Sequence, residues 1–247
     1  MNEDFRPIGH ANPKGFFSKM TFFLRMLLDF QLLTIYLDLK KQLPIFKGEV
    51  LDVGCGESPY KFLLMESHTN YHGIDTIDSH KFDYDNDSIT HFNGKDIPFS
   101  EDKFDYVLCT EVLEHVFSYQ QLINEIFRVM KKGSKGVFTI PWSARYHYIP
   151  YDYYRYTPAA LQEMFSSFAN VQITPRGTDL TSIVAKIIVL FFRNAYPTEL
   201  WRFVFLPFWI ILSPILLISI FIGYLSVFFR IGSDSDPLGY TILVQKR

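Results

Sequence analysis

The chain has almost no cysteine: two in 247 residues, Cys55 and Cys109. That excludes a disulfide framework and fits a reducing, cytosolic setting. Nor is there an excess of charge of either sign. The 24 basic and 26 acidic residues leave a formal −2, no electrostatic footprint for nucleic acid, so none is expected as a partner. The opening MNEDFRPIGH is acidic and polar, so no secretory signal peptide is expected. Internal repeats and low-complexity linkers are absent. So is the third glycine of a dinucleotide fingerprint: after VLDVGCG come Glu57, Ser58 and Pro59. Finally, residues 203–229, FVFLPFWIILSPILLISIFIGYLSVFF, have no charged side chain, which does not suit an ordinary soluble domain.

What is present is alternation. EVLDVG reads as a buried strand, and SPYKFLLME as a helix with Pro59 in its first turn, where a missing N–H costs little. YHGID is a second strand ending at Asp75, and FDYVLCT a third, strongly buried one. SYQQLINEIFRVMKK has helical spacing, with Ser118 and Gln121 as a capping box and Gly133 as its stop. GVFTIP is a strand, Thr157 and Pro158 open another helix, and NVQITPR and GYTILVQKR are further strands. This pattern predicts an α/β domain with a largely parallel sheet. Residues 16–43 read as one or two covering helices ended by Pro44. The chain then divides into covering helices (1–47), the α/β domain (48–179), an apolar helical insertion (180–232) and a last strand of the same sheet (233–247).

The glycine turn carries the chemistry. In doubly wound sheets, ligands sit at the carboxyl ends of the strands near the switch in strand order. Gly54 and Gly56 have no Cβ, so the backbone can turn sharply and approach a ligand. Asp75, ending the second strand, can accept from both hydroxyls of a ribose. These features fit a nicotinamide dinucleotide as well as S-adenosylmethionine. A dinucleotide, however, needs its pyrophosphate on a helix N-terminus with a third glycine, and Glu57 places an acid there. S-adenosylmethionine has no phosphate, and a cradle rimmed by Asp52 and Glu57 suits its positive end. The turn favours the methyl donor.

Four stretches, VLDVGCGESPY, YHGID, GKDIPFSEDKFDYVLCTEVLEHV and INEIFRVMKKGSKGVFTIP, resemble in their order and spacing the class I S-adenosylmethionine-dependent methyltransferases of the type 11-like group. The likeness runs from about residue 48 to 176 and resumes at the last strand. It implies a Rossmann-like methyltransferase sheet with helices on both faces, here with the hydrophobic helical insertion before the last strand. It implies S-adenosylmethionine as cofactor, with Asp52, Gly54, Cys55 and Gly56 at the methionine end and Asp75 on the ribose. Asn93, or alternatively Asp96, would meet the adenine, and Thr110 and Glu111 would line the methionine side. YHYIPYDYYRYTPAALQEMF resembles a branch found among bacterial genes for envelope glycans, implying a small-molecule, glycan or lipid-linked acceptor. The rival readings are an NAD-dependent oxidoreductase and a non-catalytic membrane-bound scaffold with the same fold.

Six tyrosines fall between residues 146 and 156, with His147, Asp152 and Arg155 among them. One reading is a lid over the acceptor, with Tyr153 as an aromatic face, His147 as general base and Arg155 as an anion clamp. The other is a packed loop in which Arg155 and Asp152 are structural partners. A dedicated base is not strictly required, since holding a reactive sulfonium donor in line with its acceptor supplies much of the acceleration; base help adds ~10²–10⁴-fold. His115, beside the cofactor site, reads as a structural hydrogen-bonding residue, with a catalytic role as the alternative, and no metal site is expected.

As one helix, residues 203–229 would span ~40 Å, against ~30 Å of hydrocarbon. A single crossing would leave the last strand outside, and Pro207 and Pro214 break the run. The expectation is a helical hairpin, with LTSIVAKIIVLFF as its other arm, dipped into one leaflet at the cytoplasmic face. The protein would then be monotopic or peripheral, with Trp201, Arg202, Trp209 and Arg230 near the interface. The competing reading is a surface for a partner or a homodimer.

Overall fold

A computed structural model describes residues 12–76, 86, 89–195 and 200–247. The opening decapeptide and the side chain of Arg202 lie outside the described residues. Seven strands form one sheet: β1 (Gly48–Val53), β2 (Thr69–Thr76), β3 (Thr90–Phe92), β4 (Phe104–Thr110), β5 (Met130–Pro141), β6 (Ala169–Arg176) and β7 (Gly239–Gln245). Their order is β3-β2-β1-β4-β5-β7-β6. The first five strands pair in parallel, and β7 runs antiparallel to both β5 and β6. The helices are α1 (Phe16–Arg25), α2 (Phe30–Gln42), α3 (Tyr119–Val129), α4 (Pro158–Met164), α5 (Asp179–Ala195) and α6 (Leu206–Phe229).

Side chains alternate across the sheet with the period of two that a pleated strand imposes. Leu51, Val53, Val107, Cys109, Phe138 and Ile140 face one core with Leu122, Ile123 and Ile126 of α3. Val50, Leu108 and Val137 face the other, with Leu32 and Leu39 of α2, Val184 of α5 and Leu216 of α6. The sheet is thus covered on both faces, as the near-continuous apolar strands require.

Three local expectations are corrected. SPYKFLLME forms no α-helix: Ser58 takes a left-handed φ of 55°, and only a 3-10 turn, Lys61–Leu63, follows. Helix α3 stops at Val129, because Met130 is extended and begins β5, with Phe104 paired to it across β4. Sheet pairing there overrides the helical tendency of Met130, Lys131 and Lys132. Ser118 stands at the start of α3 without a side-chain cap bond.

The apolar insertion is an antiparallel helix pair. Ser226 near the end of α6 meets Thr178 and Thr181 at the start of α5, with hydroxyl separations of 2.8 and 2.6 Å. The prolines do not break α6, contrary to expectation. Pro207 lies in its first turn, where no N–H is required. Pro214 lies inside it and cannot donate to the carbonyl of Ile210, but the hydroxyl of Ser213 donates to that carbonyl instead, at 2.7 Å. Helix α6 buries only Leu216, Gly223 and Ser226. Residues 203–229 are long and apolar enough to cross a membrane, and only 6% of their most apolar window is buried. Helix α1 also projects apolar side chains: Phe16, Phe17, Met20, Phe23 and Leu24 are exposed, and only Phe22 is buried.

Gly223 sets the approach of α6. A Cβ there would lie 2.7 Å from the Phe30 ring and 2.9 Å from Val184. Gly223→Leu should therefore pry α6 from α2 and α5, costing ~1–3 kcal/mol. Thermal unfolding in detergent should show a lowered midpoint; an unchanged midpoint would mean this contact contributes nothing to stability.

Candidate functional site

The turn after β1 is bound to the end of β2. The N–H groups of Gly54 and Cys55 both donate to the carbonyl of Ile74, at 2.9 and 3.1 Å. The N–H of Gly56 donates to Asp75 Oδ2 at 2.8 Å, and that of Thr76 to Oδ1 at 2.6 Å. Gly54 and Gly56 have φ of +66° and +52°. A Cβ on Gly54 would also strike Val112, at 2.4 Å, so glycine is needed for both conformation and space.

This turn opens into a cleft of about 400 Å³ at the carboxyl ends of β1, β2 and β4. That volume lies in the ~300–1,000 Å³ range of small-molecule sites, and the position is the switch in strand order. Gly54, Gly56, Asp75, Asn93 and Glu111 line it together with His115, Phe117, Tyr148, Tyr151 and Tyr153. The cofactor candidates and the tyrosine segment therefore share one cavity.

Several residues named from the sequence stand elsewhere. Asp52 and Cys55 are buried behind the turn and do not line the cleft. Asp52 accepts from the Tyr71 hydroxyl at 2.7 Å, and that hydroxyl is 2.8 Å from Ser58 Oγ. Burial pushes the Asp52 carboxyl up to about 7; the Tyr71 hydrogen bond opposes this and the Asp75 charge adds to it. Burial, with the Asp52 charge beside it, also raises the Cys55 thiol. Thr110 is taken up in β4 and lies off the lining. Asn93 lines the cleft, but its amide oxygen already accepts from the N–H groups of Lys95 and Asp96, at 2.9 and 2.8 Å, and its NH₂ donates to Asp96. It holds the loop in shape, and Asp96 stands outside the cavity.

In the tyrosine segment, Tyr153 is on the lining and packs edge-on against the exposed Phe117, with ring centroids 5.5 Å apart. Arg155 is not on it. Its guanidinium grips Asp152 at 2.5 and 2.7 Å and donates to the carbonyls of Tyr154 and Arg145. These commitments make it a structural partner and correct its reading as an anion clamp. Burial would raise Asp152, but hydrogen bonds from His147 and Arg155 hold it well below the usual carboxylate range. His147 also lies off the lining, behind His115, with ring centroids 4.9 Å apart. A base reaching the acceptor directly would have to be another group.

Two buried ionisable residues beside the cleft carried no sequence signal strong enough to single them out. Arg176 is buried and donates to Glu111 Oε1 at 2.7 Å and to the Ile140 carbonyl at 3.3 Å. It anchors a cleft residue whose φ of 52° is rare for a non-glycine. Glu114 is wholly buried, and neither carboxylate oxygen has a hydrogen-bond partner.

A family model described as a methyltransferase domain matches residues 51–138. Over that stretch, about a third of its length, the chain is similar to S-adenosylmethionine-dependent methyltransferases. It is 29% identical over 106 residues to a probable S-adenosylmethionine-dependent methyltransferase of Mycolicibacterium smegmatis, covering 41% of this chain and 40% of that one. A demethylmenaquinone methyltransferase of Listeria welshimeri is 29% identical over 108 residues, covering 38% and 46%. The chain thus spans about half the length of the curated relatives it matches. In fold it is similar to a methyltransferase structure from Archaeoglobus fulgidus, with a TM-score of 0.51 and 17% identity over 88% of this chain and 95% of that one.

The residues present fit the family's cofactor. The turn has no side chain where a ligand would approach, and Asp75 stands beside it on the cleft lining. Asp75→Ala should weaken S-adenosylmethionine binding by ~1.5–3 kcal/mol through loss of charge-assisted bonds. Because Asp75 also holds Gly56, Asp75→Asn serves as the milder variant. Full affinity by calorimetry in both folded variants would remove Asp75 from the site.

Proposed function

We propose that this protein transfers a methyl group from S-adenosylmethionine to a small-molecule, glycan or glycolipid acceptor at the cytoplasmic surface of a membrane. The carrying observation is the single cleft in which the Asp75-bound glycine turn faces Tyr148, Tyr151 and Tyr153. When bound, S-adenosylmethionine supplies an electrophilic methyl on a sulfonium. Asp75 would take the ribose hydroxyls, and Gly54 and Gly56 would admit the methionine end. Tyr153 and Phe117 offer aromatic faces on which a sugar or other ring can stack. Their work is to hold the acceptor in line and exclude water.

The oxidoreductase alternative loses support from the same turn. No helix begins there, since Ser58 leads only into the 3-10 turn at Lys61–Leu63, so a pyrophosphate would lack the dipole that holds it. Titration calorimetry should give saturable binding of S-adenosylmethionine and none of NAD; the reverse would sink the reading. Mass spectrometry of envelope extracts should show a species lighter by one methylene when the gene is deleted. An unchanged profile alongside tight donor binding would favour the non-catalytic scaffold.

Membrane attachment is supported by exposure and by topology. Ile210, Ile211, Ile215, Leu217, Ile218 and Phe221 of α6 are all exposed, a patch too apolar for a free surface. The helix pair leaves the sheet after β6 and returns at β7, and these two strands pair from Gln172↔Leu243 to Arg176↔Gly239. Both ends of the excursion therefore stay on one side of any bilayer, which favours a hairpin lying in one leaflet over a single span. The protein should sediment with membranes and be released by detergent, not by high salt. A cysteine placed at the exposed Ser235 should react only from the cytoplasmic side, and labelling from outside intact cells would overturn the topology.

A further inference from the structure

Behind the tyrosine mouth, Glu114, His115 and His147 converge. Glu114 and His115 lie in the 3-10 turn Leu113–His115 after β4, and His147 comes from the segment after β5. One ligand atom from each residue lies within 4.8 Å of the other two, and His115 Nε2 is 3.7 Å from Glu114 Oε1. An ion at the ~2.0–2.2 Å typical of imidazole and carboxylate ligands would require them to draw together by about an ångström.

The protonation pattern is already that of a ligand set. His115 Nδ1 lies 2.9 Å from the carbonyl of Tyr151, and His147 Nδ1 is 2.9 Å from the carbonyl of Arg145 and 3.0 Å from Asp152 Oδ2. Carbonyl and carboxylate oxygens only accept, so each Nδ1 carries a proton, and in the neutral ring Nε2 is then the nitrogen able to ligate an ion. Metal-bound histidines are oriented in this way, by a carbonyl or carboxylate on the far nitrogen. Asp152 is itself fixed by Arg155. Glu114 supplies the independent sign. Its side chain is fully buried and neither oxygen accepts a hydrogen bond, a costly arrangement unless something compensates it.

We propose that Glu114, His115 and His147 bind a divalent first-row transition cation at the acceptor end of the cleft. Two imidazoles and a carboxylate suit such ions, and three protein ligands leave coordination positions open. Of the three, only His115 is on the cleft lining, so a water completing the shell would reach the ion past its ring. Binding of the ion stands on this geometry alone; only the word acceptor rests on the methyltransferase reading.

The test uses the full chain, stripped with chelator and titrated with Co²⁺ alone, followed by calorimetry and by visible absorption of the bound ion. Saturable binding with ligand-field bands is expected. Glu114→Gln, His115→Ala and His147→Gln should each weaken it about tenfold or more, and Asp152→Asn by ~10–100-fold, the usual cost of losing a partner that orients a ligand. Circular dichroism and S-adenosylmethionine affinity, measured on every variant, separate lost metal binding from lost folding. If one variant misfolds, the other three carry the test. Absence of saturable Co²⁺ binding by the folded wild type, or affinity unchanged in the folded variants, would overturn the site. Retained Co²⁺ binding with no S-adenosylmethionine binding would instead keep the site and reject the methyltransferase reading.

Discussion

The hydrogen bond from Gly56 N–H to the Asp75 carboxylate ties the carboxyl ends of β1 and β2 into one rigid corner. The cleft takes its shape from that corner. With the Ile74 carbonyl receiving two further N–H groups, the turn has no freedom to close over the cavity. Glycine conformation, clearance from Val112 and the position of a carboxylate on the cleft lining follow from one arrangement. A charged group placed at the end of one strand organises the backbone of its neighbour, and a carboxylate accepting backbone N–H groups is among the stronger neutral-to-charged contacts available. The opposite side of the cleft is built on the same principle, with buried Arg176 holding Glu111 in its strained conformation.

The fold was largely legible in the sequence, because strands buried on both faces announce themselves as apolar runs bounded by turns. FDYVLCT matches β4 residue for residue, and the last strand was recognisable from its β-branched content. Boundaries were less legible where long-range pairing decided them. Nothing local in FRVMKKG says that Met130 will pair with Phe104. The proline-based expectation for α6 failed because a neighbouring hydroxyl, Ser213, took over the bond that Pro214 cannot make.

The site was legible only as a region. Motif spacing located Gly54, Gly56, Asp75 and Glu111 on the lining of one cavity, since those positions are fixed by strand ends. It could not distinguish side chains that point into the cavity from those that point behind it. Asp52 and Cys55 flank Val53 and Gly54 in sequence, yet they belong to the buried network with Tyr71 and to the packing against Gly73. Likewise Arg155 and His147 share a segment with Tyr153 but are drawn inward by Asp152. Alternation of direction along an irregular segment has no period to read.

The helix pair has one further consequence. Asp179 N–H donates to the carbonyl of Ser233 at 2.9 Å, and Ser233 N–H returns to Asp179 Oδ1 at 2.8 Å. The two ends of the excursion are therefore hydrogen-bonded neighbours, as at the base of a short hairpin turn. Insertions are tolerated where entry and exit points nearly coincide at a surface. To the sheet, the apolar pair and a tight loop are interchangeable closures of β6 onto β7. Gain or loss of the hairpin could then change the apolar surface that the core carries without redesigning the strands that build its cleft.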